Sequence, residues 1–183
     1  MATTDSSRSL PDTSQTETGD GEVLIERVFD APREAVFRAF TQADALARWW
    51  SPLGFTTIRA ELDLRPGGEF RYGWRMDNGI ESYGKWVLRE IAPPDRLAFL
   101  NLITDTDGNP IPHPMIPDWP VLLNVVTFVA EDGGRTRVTM RGRPDEPSAS
   151  AARGFAAGRE MMAAGLGNTF DKLAEYLASQ GGR

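Results

Sequence analysis

Five side chains are equipped for chemistry at the positions they occupy: Tyr72, Glu81, Tyr83, Asn101 and His113. His113 is the one histidine and lies between Pro112 and Pro114, so its backbone is stiff, and a general base benefits from being held still. No serine or cysteine with an acidic partner stands near it in a triad pattern, so an exposed loop histidine is the plainer reading. Asp118 and Trp119 would bring a carboxylate and an aromatic ring to a cavity mouth; a loop anchored by its tryptophan is the plainer reading there. Asn101 and Asn124 interrupt apolar runs, and a buried amide must bond a ligand or else backbone and water. These groups select no particular reaction.

Composition narrows the classes. The chain has no cysteine, which excludes disulfides, thiolate nucleophiles and cysteine-ligated metals, and one histidine makes a histidine-rich metal site untenable. No P-loop, dinucleotide fingerprint, EF-hand or zinc motif is present, so no cofactor is expected. A formal charge of −6 without a dense basic run argues against nucleic acid as a partner. No apolar run reaches membrane-spanning length and the N-terminus has no secretory h-region, so neither membrane insertion nor export is expected and a cytoplasmic location is the default. With 183 residues, 40% of them hydrophobic, one domain with a real core is expected over residues 21–183. Residues 1–20 are polar and nearly free of large apolar groups, the composition of a disordered tail.

The elements that must position these groups are organised around residues 148–180. Phe155, Met162, Leu166, Phe170, Leu173 and Leu177 recur at steps of three, four or seven, one stripe of a long helix, with Ser148 or Ser150 to cap it and Gly181 past its end. Its first half carries Gly154, Gly158, Gly165 and Gly167 together with Met161 and Met162. Glycine weakens a helix by up to ~1 kcal/mol against alanine. Those glycines therefore serve either close packing on a sheet or a helix face set back to leave a cavity.

Before this helix the pattern is mostly strand. Residues 22–29 read as the first strand. Asp30 and Pro32 then mark the start of one short helix over 33–40, and Thr41 caps a second over 42–50. Trp49 and Trp50 are adjacent, so one can pack inside while the other covers an opening, or both can be core. Residues 57–64 alternate, with Ile58, Ala60, Leu62 and Leu64 on one face. Residues 69–76 alternate with Phe70, Tyr72, Trp74 and Met76 inward, and Asp77, Asn78 and Gly79 form a hairpin turn. Strands come next over 80–91 and 96–103, the latter with Leu97, Phe99, Asn101 and Ile103 on one face. Residues 104–120, with five prolines, His113 and Trp119, lack periodicity, as functional lids do. A last hairpin spans 121–130 and 135–142, where Arg135, Arg137 and Arg141 form a solvated face. Hairpin links make the sheet antiparallel and the fold α+β.

Several stretches, in order, resemble a known family: FDAPREAVFRAFT at 29–41, ARWWSPLGF at 47–55, DLRPGGEFRY at 63–72, PPDRLAF at 93–99 and DKLAEYLA at 171–178. Together they are similar to the START-like (SRPBCC) superfamily, and within it to the homologue-like proteins of the activator of the heat-shock chaperone ATPase. The resemblance implies a helix-grip fold: a curved seven-stranded antiparallel sheet around a long C-terminal helix, two short helices after strand one, and a deep apolar pocket between sheet and helix. Where many relatives carry a tryptophan one turn before the last helical segment, this chain has Leu166, which would enlarge the pocket. The 104–120 segment is longer and richer in proline than is usual in the family.

Three functions are compatible with these features. The first is binding of a small hydrophobic or amphipathic molecule, walled by Trp50, Phe55, Phe70, Tyr72, Trp74, Phe99, Met162 and Leu166, oriented by Asn101 and covered by the segment with His113 and Trp119. The second, implied by the resemblance, is a co-chaperone module whose partner is a chaperone; a homodimer is the other protein partner considered. The third is a cyclase- or hydrolase-type enzyme using the same cavity, as some START-like proteins are.

Overall fold

In the computed structural model, which describes residues 15–19 and 21–181, the chain runs β1 (Gln15–Thr18), β2 (Val23–Phe29), α1 (Arg33–Thr41), α2 (Ala43–Trp49), β3 (Phe55–Leu62), β4 (Glu69–Met76), β5 (Glu81–Ala92), β6 (Arg96–Thr104), β7 (Leu122–Glu131), β8 (Arg135–Pro144) and α3 (Ala149–Gln180). Every strand pairs antiparallel, in the spatial order β1-β2-β8-β7-β6-β5-β4-β3. Strands β3 to β8 form a meander, and β2 returns beside β8. These seven strands curl around α3 as the helix-grip expectation requires. An eighth strand, β1, lies on the free edge of β2. It falls in the stretch expected to be a disordered tail. Its sequence, QTET, has no apolar residue, so pairing with β2 left no alternation to read. The rest of that expectation, residues 1–14 and 20, lies outside the described residues.

The turn chemistry holds where backbone geometry demands it. Gly79 takes φ +86° in the β4–β5 hairpin, a region open to glycine, and Asn78 Oδ1 accepts from the Ile80 amide at 3.1 Å. The expected helix caps are corrected. Pro32, not Asp30, occupies the cap position of α1, and no side chain caps it. The Thr41 hydroxyl donates back to Phe37 O at 2.8 Å instead of capping α2, which begins after Gln42. A β-branched hydroxyl in the last turn of a helix has its own helix's carbonyl within reach.

The alternation expected for residues 57–64 breaks. The β3–β4 pairing slips between Thr57 and Arg59, so Ile58 sits at an irregularity and is exposed, and Leu64 lies beyond the strand and is exposed. Ala60 and Leu62 alone of that set pack on the core. A bulge adds a residue to one strand and flips the parity of the residues beyond it.

Helix α3 is one unbroken helix. Ser148 caps it, its hydroxyl accepting from the Ala151 amide at 3.0 Å, and Gly181 lies just past its last turn. Phe155, Leu166, Phe170, Leu173 and Leu177 bury into the core. Its C-terminal half is tied at both flanks: Arg27 of β2 donates to Asp171 at 2.5 Å, and Lys172 Nζ donates to Ser51 Oγ at 2.8 Å and Pro52 O at 3.0 Å. Beneath it, Phe40 packs edge-on against Trp49, Phe128 and Phe170. Fully burying such a side chain is worth ~2–3 kcal/mol, which makes this cluster the anchor of the helical layer. On the outer face the arginines of β8 are solvated and paired across the sheet, Arg137 with Glu26 and Glu131, Arg141 with Glu22.

Candidate functional site

The inner face of β4, β5 and β6 is built of rings. Alternation places Phe70, Tyr72 and Trp74 of β4 inward, and Trp86 of β5 and Phe99 of β6 beside them. Trp86 stacks on Phe99 with centroids 3.9 Å apart, and Tyr72 stacks on Trp74 at 4.5 Å. Trp50, from the end of α2, stands edge-on against Trp86 at 4.7 Å and nears Tyr72 at 6.2 Å. Both adjacent tryptophans are therefore interior: Trp49 Nε1 donates to Ala39 O at 2.9 Å, and the Trp50 carbonyl accepts from Trp74 Nε1 at 2.8 Å. Phe55 reaches only the edge of this group, against Trp74 at 6.3 Å.

The polar groups set into this wall are specific. The Tyr72 hydroxyl donates to Asn101 Oδ1 at 2.8 Å. Burial pushes the Tyr72 phenol well above its ordinary value, so it is a fixed neutral donor and not a base. Glycine at position 84 makes room for it, since a Cβ there would overlap the Tyr72 ring. Among the described residues, two buried polar atoms of this inner face have no partner, Trp86 Nε1 and Asn124 Oδ1, while the Trp50 indole N–H lies against the Tyr72 hydroxyl. Phe70, Trp86 and Phe99 form a closed floor, while Trp74, Asn101 and Met162 are half-buried at the margin.

The remaining expected residues fall into other groups. His113 and Trp119 lie together, ring centroids 6.0 Å apart, and Trp119 stacks on Phe155 of α3 at 6.0 Å. His113 Nδ1 accepts from the amides of both Met115 and Ile116 at 3.1 Å. An accepting Nδ1 leaves any ring proton on Nε2, and partial burial pushes the His113 pKa below its ordinary value. The histidine fixes a turn, and the expectation of an exposed loop histidine is met only in part, since the ring is half-buried and bonded through Nδ1 to two backbone amides. Met162 lies over Gly142 beside Asn124, and Leu166 joins the buried core. Glu81 and Tyr83 are on the outer face, where Glu81 accepts from Tyr83 and from Arg75. The five candidates for acid–base chemistry are thus divided among the inner face, the outer face and the loop.

The glycines of α3 do not set the helix back from the sheet throughout. A Cβ on Gly154 would overlap the Asp118 backbone, and one on Gly158 would overlap Ile116 and the Trp119 ring, whereas Gly165 and Gly167 face open space. The first pair admits residues 116–119 against the helix. A groove of about 650 Å³ lies beyond that segment, lined by Leu100, Leu102, Trp119, Pro147 and neighbours. Gly142 and Trp86 share the same inner face although patterning did not select them. Their signal is parity: both share the inward register of Met140 and Gly84 on their own strands. Among the described residues no group of three or more His, Asp or Glu could hold a metal ion, and no helix is long and apolar enough to cross a membrane.

A curled antiparallel sheet closed on one long C-terminal helix, with two short helices after the first strand of the grip, defines the START-like class. Within it, the chain belongs to the family described as "Activator of Hsp90 ATPase homolog 1-like protein", whose model matches residues 30–178. Among solved structures it is similar to Ms6760 from Mycobacterium smegmatis, with 26% identity and a TM-score of 0.72 over 91% of this chain and 97% of that one. A protein from Arthrobacter aurescens solved by NMR is 21% identical, with a TM-score of 0.77 over 90% of this chain and 91% of that one. NE0264 from Nitrosomonas europaea is 21% identical, with a TM-score of 0.72 over 91% of this chain and 100% of that one. No curated protein matches the chain.

Proposed function

We propose that this protein binds a small hydrophobic or amphipathic molecule between the inner face of the sheet and α3. The observation that carries the reading is a pair of polar atoms without partners inside an aromatic enclosure: Trp86 Nε1 and Asn124 Oδ1. An unsatisfied buried donor or acceptor costs about 1–3 kcal/mol, and a chain that keeps one of each in one interior gains when something bonds them. The aromatic walls supply apolar contact, and Asn101, already bonded to Tyr72 at the accessible margin, supplies orientation. Trp74, Asn101 and Met162, half-buried where the floor is closed, form the way in.

Native mass spectrometry of the freshly purified protein, compared with its denatured mass, is one arm of the test. The other is titration with N-phenyl-1-naphthylamine, a neutral apolar fluorophore. A mass lost on denaturation, or saturable binding of one fluorophore per chain, is the expected result. A clean mass together with no saturable fluorescence rise up to the fluorophore's solubility limit would sink the reading.

A further inference from the structure

The volume above Gly142 is where the interior is least at rest. Asn124 is 1% exposed, its Nδ2 donates to Leu122 O at 3.3 Å, and its Oδ1 has no partner. Its cross-strand neighbour on β8 is Gly142. A Cβ built on Gly142 would lie 3.0 Å from Asn124 Oδ1 and 2.5 Å from Met162 Cε, with Met162 Sδ at 3.9 Å. The tip of Met162 therefore occupies the volume that Gly142 leaves, on the same spot that the unpartnered oxygen borders, and a methyl-capped thioether has no proton to give it.

Met162 is also able to leave. It is half-buried and sits in the glycine-bearing half of α3, and its unbranched chain turns about three bonds. The wall beside it is Phe99, paired across the sheet with Asn124 and stacked on Trp86. One acceptor at the base, one aromatic wall and one movable apolar stopper define what could replace that stopper.

We propose that the tip of Met162 is a displaceable plug, and that the molecule taking its place carries a neutral hydrogen-bond donor on an apolar body, with the donor bonded to Asn124 Oδ1. An alcohol, a phenol or an amide N–H on a hydrocarbon or aromatic frame meets this description. The inference rests on the small-molecule reading above and names the ligand's chemistry. A carboxylate would set oxygen against oxygen at this point. The cations nearest the inner face are already engaged, Arg27 by Asp171 and Lys172 by Ser51 and Pro52. A pure hydrocarbon would fill the volume and leave the oxygen as it was.

The test is a matched ligand series on the full chain: 4-propylphenol, 4-propylanisole, propylbenzene and 4-propylbenzoate. Binding is read by tryptophan fluorescence and by the ε-methyl NMR signals of ¹³C-methionine-labelled protein. The phenol should bind at least about tenfold more tightly than the anisole, which has the same body without the O–H, with the benzoate weakest; tenfold is what one well-made hydrogen bond supplies. The Met162 methyl signal should shift on phenol binding. In Asn124→Leu the phenol and the anisole should become equal, while the unliganded variant melts no lower than the wild type, because an orphaned acceptor has been removed. Met162→Ala, which opens the volume without touching the wall, should tighten phenol binding several-fold. Equal affinity of the phenol, anisole and propylbenzene in the wild type would overturn this inference and leave the apolar site standing. A Met162 methyl signal unmoved by a bound phenol would overturn the plug. Binding of no member of the series by a protein that still binds N-phenyl-1-naphthylamine would overturn this inference alone; binding of neither, with a clean native mass, would overturn the small-molecule reading with it.

Discussion

Replacing Gly158 with alanine adds one methyl group to the middle of a helix, where alanine is the better helix former by ~1 kcal/mol. The same change at Gly165 should deliver that gain, since nothing lies within 4 Å of the new Cβ. At Gly158 the methyl would meet Trp119 Cζ3 first and stand 2.7 Å from Ile116 Cδ1, both closer than packed carbon atoms approach. The indole cannot give way easily. It is stacked on Phe155, and its own backbone amide is bonded to Ile116 O at 2.9 Å. Overpacking of this kind costs ~1–3 kcal/mol, so after the helix gain the net effect of Gly158→Ala runs from neutral to ~2 kcal/mol destabilising. The two variants should therefore differ by ~1–3 kcal/mol. For a domain of this size 1 kcal/mol moves the melting midpoint by about 2–4 °C, so the midpoints should separate by roughly 2–12 °C, Gly165→Ala the higher. Urea denaturation followed by far-ultraviolet circular dichroism gives the energies, and near-ultraviolet dichroism reports whether the Trp119 environment has changed. If Gly158→Ala raises stability as much as Gly165→Ala does, Trp119 is not seated on that glycine and the role assigned to the first pair of glycines is wrong.

Tyr72→Phe should lose ~0.5–1.5 kcal/mol in urea denaturation, the net worth of its bond to Asn101 Oδ1; an unchanged midpoint would mean that bond contributes nothing. Trp74→Phe leaves the Trp50 carbonyl without its donor and should cost a similar ~1 kcal/mol while dimming the response of tryptophan fluorescence to N-phenyl-1-naphthylamine; an intact response would remove Trp74 from the wall. The His113 pKa is depressed by burial below its ordinary 6.5. The unfolded chain then binds the proton first, so the contribution of this histidine is fully present above pH 6.5 and is lost as pH falls through the depressed value. Protonation turns Nδ1 into a donor and ends its bonds to the amides of Met115 and Ile116. Hydrogen exchange at those two amides should therefore quicken at about pH 5 relative to about pH 7.5, beyond the intrinsic pH effect; equal protection factors would refute this. Amides of α3 between residues 153 and 165 should exchange faster than those between 169 and 178, where Phe170 and Leu173 are fully buried and the Arg27 and Lys172 ties hold; uniform protection would show that the glycines do not soften the helix.

The elements whose period is set by burial were legible. The stripe of α3 and the inward rings of β4 could be read because each apolar residue had one face to occupy. Ser148 caps α3 as its residue type suggests, but Asp30 and Thr41 do not cap α1 and α2, because a cap depends on backbone angles that composition does not fix. The alternation of β3 fails at Ile58 because a bulge has no composition of its own. Strand β1 was invisible because its bonds are backbone bonds along an edge. At the site, the walls were legible and their partners were not. Tyr72 with Asn101, and Asn124 with Gly142 and Met162, meet across strands or across layers, and single-strand patterning places each residue on a face without saying who stands opposite.

The two halves of α3 answer different needs. From Phe170 onward the helix is fixed by deep apolar burial, and its flanks are bonded to β2 and to the turn after α2. Before that point it carries glycines, two methionines and the seat of residues 116–119, and its one deeply buried large ring is Phe155. A helix anchored at one end can yield at the other without unfolding, because the entropy of fixing its backbone is already offset where the burial is dense. The unpartnered oxygen of Asn124 lies under the yielding half and not under the fixed one. Were the interior built only for stability, leucine would serve at position 124, removing an orphaned acceptor. The chain instead keeps an amide beside a glycine and closes the gap with its most pliable side chain. That costs stability in the empty protein, and a donor in place of the methionine would return it, which is what the proposed binding site requires.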